Sequence, residues 1–257
     1  MKTFGGISEG LANYATAEIL LQSIPYDGTS TWIKGADKGF DAFLEASENM
    51  ELYDIETESE VYKNGIHVLK EILEKSSPEK VFKEVYTKTK ELLKSNKFLT
   101  FFGGEHSISI GIIKAFYEKY NNLTVLQLDA HADLRSSYMG SEYNHACALY
   151  NANKNTNLIQ LGIRSMDISE KENMNLNNVF FAKDMAKDKG WMEQSIAKMT
   201  NDIYITLDLD VFDPSIMPST GTPEPGGIIW TDMVKFLNKV FEEKNVVGFD
   251  IVELAPI

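Results

Sequence analysis

Two short segments hold side chains that could do chemistry together. One reads Asp129-Ala130-His131-Ala132-Asp133, and the other reads Asp208-Leu209-Asp210 with Asp213-Pro214 close behind. A third segment, Gly103-Gly104-Glu105-His106-Ser107, adds an imidazole, and Glu253 adds a carboxylate near the last residue given. Taken singly these signals are weak. A lone Asp after a strand is ordinarily a cap or turn former, and a lone His is ordinarily structural. Taken together they place acids with no Lys or Arg among them, and burying such charge is costly unless a cation is present. Asp129, Asp133, Asp208 and Asp210 carry four negative charges. Two divalent cations would balance them, and His106 and His131 would complete the shells without adding charge. Oxygen and imidazole ligands without thiolate suit Mn²⁺, with Zn²⁺, Co²⁺ or Ni²⁺ as substitutes. A pair of such ions activates water near neutral pH.

Such a site needs a scaffold that brings distant segments to one edge. Short apolar runs at residues 17–24, 98–102, 125–128, 158–162, 203–207 and 246–252 read as strands. Apolar residues at helical spacing predict helices over 61–75, 79–94, 107–120 and 230–244. Strands that alternate with helices make a parallel sheet covered on both faces. A closed eight-stranded barrel needs roughly this length, so length alone does not decide between an open and a closed sheet. In parallel sheets ligands bind beyond the carboxyl ends of the strands. Four of the expected strands deliver acid or imidazole to that edge.

Composition bounds the partners. The chain has 257 residues, 43% apolar, and a net charge of 25 − 38 = −13. Only two basic residues are arginines, Arg135 and Arg164. This balance argues against nucleic acid and against an anionic membrane. It suits cationic ligands, although most of such charge simply keeps a surface soluble. The single cysteine, Cys147, cannot form an internal disulfide, which points to a reducing cytoplasm. Residues 1–14 lack the apolar stretch of a signal peptide, and Ile19-Leu20-Leu21 is far too short to span a bilayer. With no repeat or linker, residues 1–257 read as one catalytic domain.

The three segments above, together with Pro25-Tyr26-Asp27-Gly28 and Gly221-Thr222-Pro223-Glu224-Pro225-Gly226-Gly227, resemble in order the signatures of the ureohydrolases, the arginase and agmatinase family of dinuclear manganese hydrolases. The resemblance runs from Pro25 to Glu253. It implies a three-layer α/β/α fold with a mostly parallel sheet of about eight strands, two Mn²⁺ per chain, and trimers or hexamers. His106 and Asp133 would hold one metal, His131 and Asp210 the other, and Asp129 and Asp208 would bridge. A hydroxide between the metals would attack a guanidinium carbon. Asp133 would pass a proton to the leaving amine, His145 would act as a mobile acid/base, and Glu253 would pair with the guanidinium.

The segment after Asp133 departs from arginases. It reads Leu134-Arg135-Ser136-Ser137-Tyr138 and is similar to that of bacterial agmatinases, which make putrescine and urea from agmatine. An acidic pocket favours that dication. Glu142 or another carboxylate in Arg135–Tyr143 is expected to help hold its distal ammonium, and Arg135 keeps open substrates that carry carboxylates, as in guanidinobutyrase and formimidoylglutamase; arginase itself is a further alternative. Outside the family, a phosphoesterase lacks its Gly-Asp-X-X-Asp segment here, a single-zinc deacetylase needs fewer ligands, and a non-catalytic scaffold would have lost some. His67 is expected on a helix without a role, and Arg164 and Cys147 are expected to be structural. Leu254-Ala255-Pro256-Ile257 reads as an interrupted family motif, so the C-terminal end is expected to be truncated.

Overall fold

The computed structural model describes residues 2–257. Among the described residues there are eight strands: β1 (Ile19–Ile24), β2 (Ile66–Val68), β3 (Phe98–Gly103), β4 (Thr124–Leu128), β5 (Asn157–Ile163), β6 (Val179–Phe181), β7 (Asp202–Asp208) and β8 (Asn245–Val252). They form one open, wholly parallel sheet in the order β2-β1-β3-β8-β7-β4-β5-β6. The sheet has edges at β2 and β6, which removes the closed barrel. Seven helices flank it: α1 (Gly39–Ser47), α2 (Pro78–Leu92), α3 (Ile108–Lys119), α4 (Tyr150–Asn155), α5 (Ala182–Met185), α6 (Trp191–Ala197) and α7 (Trp230–Glu243).

Strand residues point alternately to the two faces, and the cores follow that alternation. Val125 and Tyr204 pack with Val81 and Val85 of α2 and Ile112 and Phe116 of α3. Their neighbours Leu126, Ile203 and Ile205 pack on the other face with Trp191 and Ile196 of α6 and Phe236 and Val240 of α7. Phe40 and Leu44 of α1 cover Leu21 and Phe102. Every residue of β4 is buried. Helix α2 starts where Pro78 occupies the first turn and Ser77 Oγ accepts from the Lys80 N–H at 3.3 Å. Burial of Ile112, Ile113 and Phe116, each at most 1% exposed, contributes about 1.5–3 kcal/mol per side chain.

The sheet order sets up the site. The four strands that carry the chemical segments, β3, β8, β7 and β4, are adjacent at its centre. One expected helix is absent: residues 61–75 form a 3-10 turn (Val61–Asn64), the edge strand β2, and irregular chain. Gly65, at φ 75, breaks the helical path, and a Cβ there would lie 2.6 Å from the Leu11 carbonyl oxygen. His67 therefore sits on a strand, where its Nδ1 lies 2.8 Å from the Ala12 carbonyl oxygen.

Candidate metal centre

Each ligand-type side chain is placed by a strand that has just ended. After β4, Asp129 N–H donates to the Leu161 carbonyl of β5, and Gly162 at φ 93 lets the two chains approach: a Cβ there would come within 2.9 Å of the Asp129 carbonyl oxygen. After β7, the Asp210 N–H donates to Asp208 at 2.9 Å, while Asp210 accepts from the Ala130 N–H at 3.0 Å. After β3, Gly104 passes so close to β1 that a Cβ would meet the Tyr26 carbonyl oxygen at 2.3 Å. His106 follows in the turn into α3. After β8, Glu253 adopts φ 67, and Asp133 in the β4 loop adopts φ 52. Left-handed backbone at a residue with a Cβ costs roughly 1–2 kcal/mol, and such strain concentrates at functional sites.

His106, His131, Asp133 and Asp208 line a cavity of about 290 Å³. His106 Nδ1 lies 3.1 Å from Asp133, 3.2 Å from Asp129 and 3.4 Å from Asp208. His131 Nδ1 lies 2.9 Å from Asp210 and 3.7 Å from Asp129. Two groups of potential ligand atoms result, one from His106, Asp129 and Asp208 and one from Asp129, His131 and Asp210. The two groups share Asp129.

The donor chemistry fits a cation. His106 Nδ1 is buried and makes no hydrogen bond of good geometry, although three carboxylates face it. Its other ring nitrogen, Nε2, lies 2.9 Å from the Thr206 hydroxyl, which donates to Asp250 at 2.6 Å; the Tyr204 hydroxyl donates to the second Asp250 oxygen at 2.7 Å. That chain leaves Nδ1 as the nitrogen free to coordinate. Gln127 Nε2 in turn donates to Asp129 at 2.7 Å. The electrostatics agree. Burial and then the Asp129 charge push Asp133 up to about 7. Burial and the neighbouring Asp210 and Asp129 raise Asp208 well above the carboxylate range. Burial opposes charge on His131, yet Asp210 outweighs it and the imidazole rises to about 11. The cavity thus recruits protons to the positions that cations would neutralise.

Glu253 is buried and lines the same cavity. One oxygen, Oε1, accepts from the His106 N–H at 2.9 Å; burial, then the nearby Glu105 charge, raise its carboxyl well above the usual range. His145 also lines the cavity, in a short 3-10 turn (His145–Cys147). Burial first, and then His106, lower it to about 4. Arg135 reaches the cavity with its guanidinium 4.3 Å from the centre of the Tyr138 ring. Glu142 is exposed and is not a cavity residue; Asp167 and Glu170, delivered by the loop after β5, are. Arg164 spends its guanidinium on backbone carbonyls, among them Asp210 at 2.6 Å, Glu224 at 2.8 Å and Phe212 at 3.2 Å, and so ties two site loops together. Cys147 is buried, and burial pushes its thiol up to about 12.

The sequence pattern of the arginase family matches residues 17–257. The chain belongs to the arginase family. An N(1)-aminopropylagmatine ureohydrolase of Synechocystis sp. is 34% identical, over 97% of this chain and 85% of its own length. An agmatinase of Pyrococcus horikoshii is 28% identical, over 93% of this chain and 84% of its own. Among solved structures, the agmatine ureohydrolase of Thermoplasma volcanium superposes with a TM-score of 0.88 at 30% identity, over all of this chain and 87% of that one. The sheet and its helices are thus those of an arginase-family hydrolase, and the two ligand groups lie where its strands end. Among the described residues, no helix is long and apolar enough to cross a membrane.

Proposed function

We propose that this enzyme hydrolyses the guanidinium group of agmatine to putrescine and urea, using two Mn²⁺ per chain. The observation that carries this is the pair of ligand groups sharing Asp129 beneath a cavity that also holds a buried carboxylate, Glu253. His106 and Asp133 would hold one ion, His131 and Asp210 the other, with Asp129 and Asp208 between them. When bound, such ions act as Lewis acids and supply a nucleophile from water at neutral pH. The chain's own groups do the rest. The guanidinium pairs with Glu253, whose second oxygen is not engaged by His106. A water oxygen adds to the guanidinium carbon, and the bond from that carbon to the alkyl nitrogen breaks. Asp133 passes a proton to the departing amine, and His145 exchanges protons with solvent. The products are urea and a protonated amine, so atoms and charge balance.

Substrate charge separates the rivals. Arg135 is stacked on Tyr138, and its nitrogens lie 3.9 Å from both Asp167 and Glu170. An arginine so neutralised is a poor receptor for a substrate carboxylate, which disfavours guanidinobutyrate, formimidoylglutamate and arginine. Asp167 supports a second reading, an agmatine extended by an aminopropyl group: its side chain, 46% exposed at the cavity, offers a carboxylate to an additional amine. Relatives named for that substrate are 31–34% identical to this chain. Urea release should be measured with Mn²⁺ for agmatine, N(1)-aminopropylagmatine, arginine and guanidinobutyrate, and formamide release for formimidoylglutamate. The two cationic guanidines should exceed the others by about 100-fold in kcat/KM, the scale of about 3 kcal/mol for an unmatched buried charge. Urea from none of them would remove the proposal.

A further inference from the structure

We infer that Thr29 is a positioning residue for His145: its hydroxyl, oriented by the buried carboxylate of Glu105, fixes which ring nitrogen of His145 carries the proton. The inference rests on the hydrolysis proposed above and goes beyond it to a residue with no assigned part.

Glu105 is fully buried and lies between the end of β3 and the turn after β1. Its Oε1 accepts from the Thr29 N–H at 3.2 Å, the Thr29 hydroxyl at 2.9 Å and the Ser107 hydroxyl at 2.9 Å, and its Oε2 accepts from the Ser107 N–H at 2.8 Å. Every partner of this carboxylate is a donor. The Thr29 hydroxyl has one proton, and it is given to Glu105. Toward its other neighbours the oxygen can then only accept. Those neighbours both belong to His145: the backbone N–H at 3.0 Å and ring Nδ1 at 3.2 Å. An accepting oxygen facing Nδ1 requires that Nδ1 carry the proton. In the neutral imidazole Nε2 is then the unprotonated nitrogen, available to take a proton and return it.

The arrangement is also selective in position. The Asn144 side chain accepts from the Ala146 N–H at 3.1 Å and holds the turn, while Thr29 holds both the backbone and the ring of His145. The Tyr138 ring meets the imidazole edge-on, with centroids 6.2 Å apart. Thr29 is 8% exposed, so water cannot readily replace its hydroxyl. The logic parallels catalytic triads, where a third group orients the imidazole and sets its tautomer.

The test uses full-length protein loaded with Mn²⁺, with wild type, Thr29→Val, Thr29→Ser, His145→Ala and the Thr29→Val/His145→Ala double variant assayed for urea release. Thr29→Val should lower kcat at least 10-fold, with KM within threefold and bound Mn²⁺ unchanged. Thr29→Ser, which restores the hydroxyl, should recover kcat to within threefold of wild type. In the His145→Ala background, Thr29→Val should cost nothing further, because residues acting as one unit are non-additive. Wild-type-like kcat in Thr29→Val, or losses that multiply in the double variant, would overturn the inference. Should Thr29→Val fail to fold, ¹⁵N NMR of the His145 ring in Zn²⁺-loaded wild type decides: a proton on Nδ1 supports the assignment and a proton on Nε2 overturns it. An inactive wild type would instead remove the hydrolysis proposal itself.

Discussion

Replacing Glu253 by glutamine separates substrate binding from folding. The side chain keeps its length, and its remaining carbonyl oxygen can still accept from the His106 N–H, now at 2.9 Å. The oxygen not engaged by His106 becomes an amide that donates. A guanidinium has only donors to offer, so one charge-assisted hydrogen bond is replaced by two opposed donors. Losing one partner of a buried charged pair costs about 2–5 kcal/mol. At 1.36 kcal/mol per decade, that is about a 30-fold to several-thousand-fold fall in kcat/KM. Stability should not fall with it. The Glu253 carboxyl is raised well above its usual range by burial and by Glu105, so the metal-free fold opposes its charge. Removing that charge should leave the melting temperature of the metal-stripped protein equal to or above wild type. The assays are steady-state urea release with agmatine and thermal melting after chelation. Activity within threefold of wild type would refute the pairing, and a lower melting temperature in the stripped protein would refute the electrostatic argument.

Other consequences concern specificity and the loops. Asp167→Asn should lower kcat/KM for N(1)-aminopropylagmatine about 2- to 5-fold more than for agmatine, roughly 0.5–1 kcal/mol for a partly exposed pair, whereas the exposed Glu142→Gln should leave the ratio unchanged; a shifted ratio in Glu142→Gln would reverse that assignment. Arg164→Met should destabilise by about 1–3 kcal/mol in urea titrations, because the carbonyls of Asp210, Phe212 and Glu224 lose a half-buried charged donor; a change below about 0.5 kcal/mol would contradict its role as a tie. Asp213 is held down at about 2 by Ser215 and by the N–H groups of Gly226 and Gly227. A lowered folded-state value stabilises above the unfolded value, near 4, and is lost as pH falls toward 2. The stability gap between wild type and Asp213→Asn should therefore be full at pH 7 and narrow below pH 4; a gap that widens on acidification would be inconsistent.

The strand ends were readable because each segment sits immediately after a buried apolar run, where a parallel sheet must deliver it. That the four runs become neighbours was not readable, since β3 pairs with β8, nearly 150 residues further along the chain, and only folding selects that order. The strand position of His67 is not legible, because the spacing of apolar residues over 61–75 satisfies a helix and Gly65 carries the break. Thr29 and Glu105 gave little sign in the sequence, because a hydroxyl or carboxylate acquires its role from its partner, and His145 lies 116 residues from Thr29. Asp250 and Tyr204 lie within apolar strands, and their link to His106 through Thr206 exists only across the sheet. Glu142 lies near Asp133 in sequence, but it is exposed and does not line the cavity. The acids that line the cavity, Asp167 and Glu170, arrive from the loop after β5 instead.

The central claim is that two cations shared through Asp129 enable guanidinium hydrolysis. The most direct measurement is a titration of chelator-stripped protein with Mn²⁺, in which bound metal per chain and urea released from agmatine are followed in the same samples. Urea release should be absent without metal and should saturate as occupancy reaches two ions per chain. Undiminished urea release from the stripped protein, or full activity with a single ion bound, would contradict it.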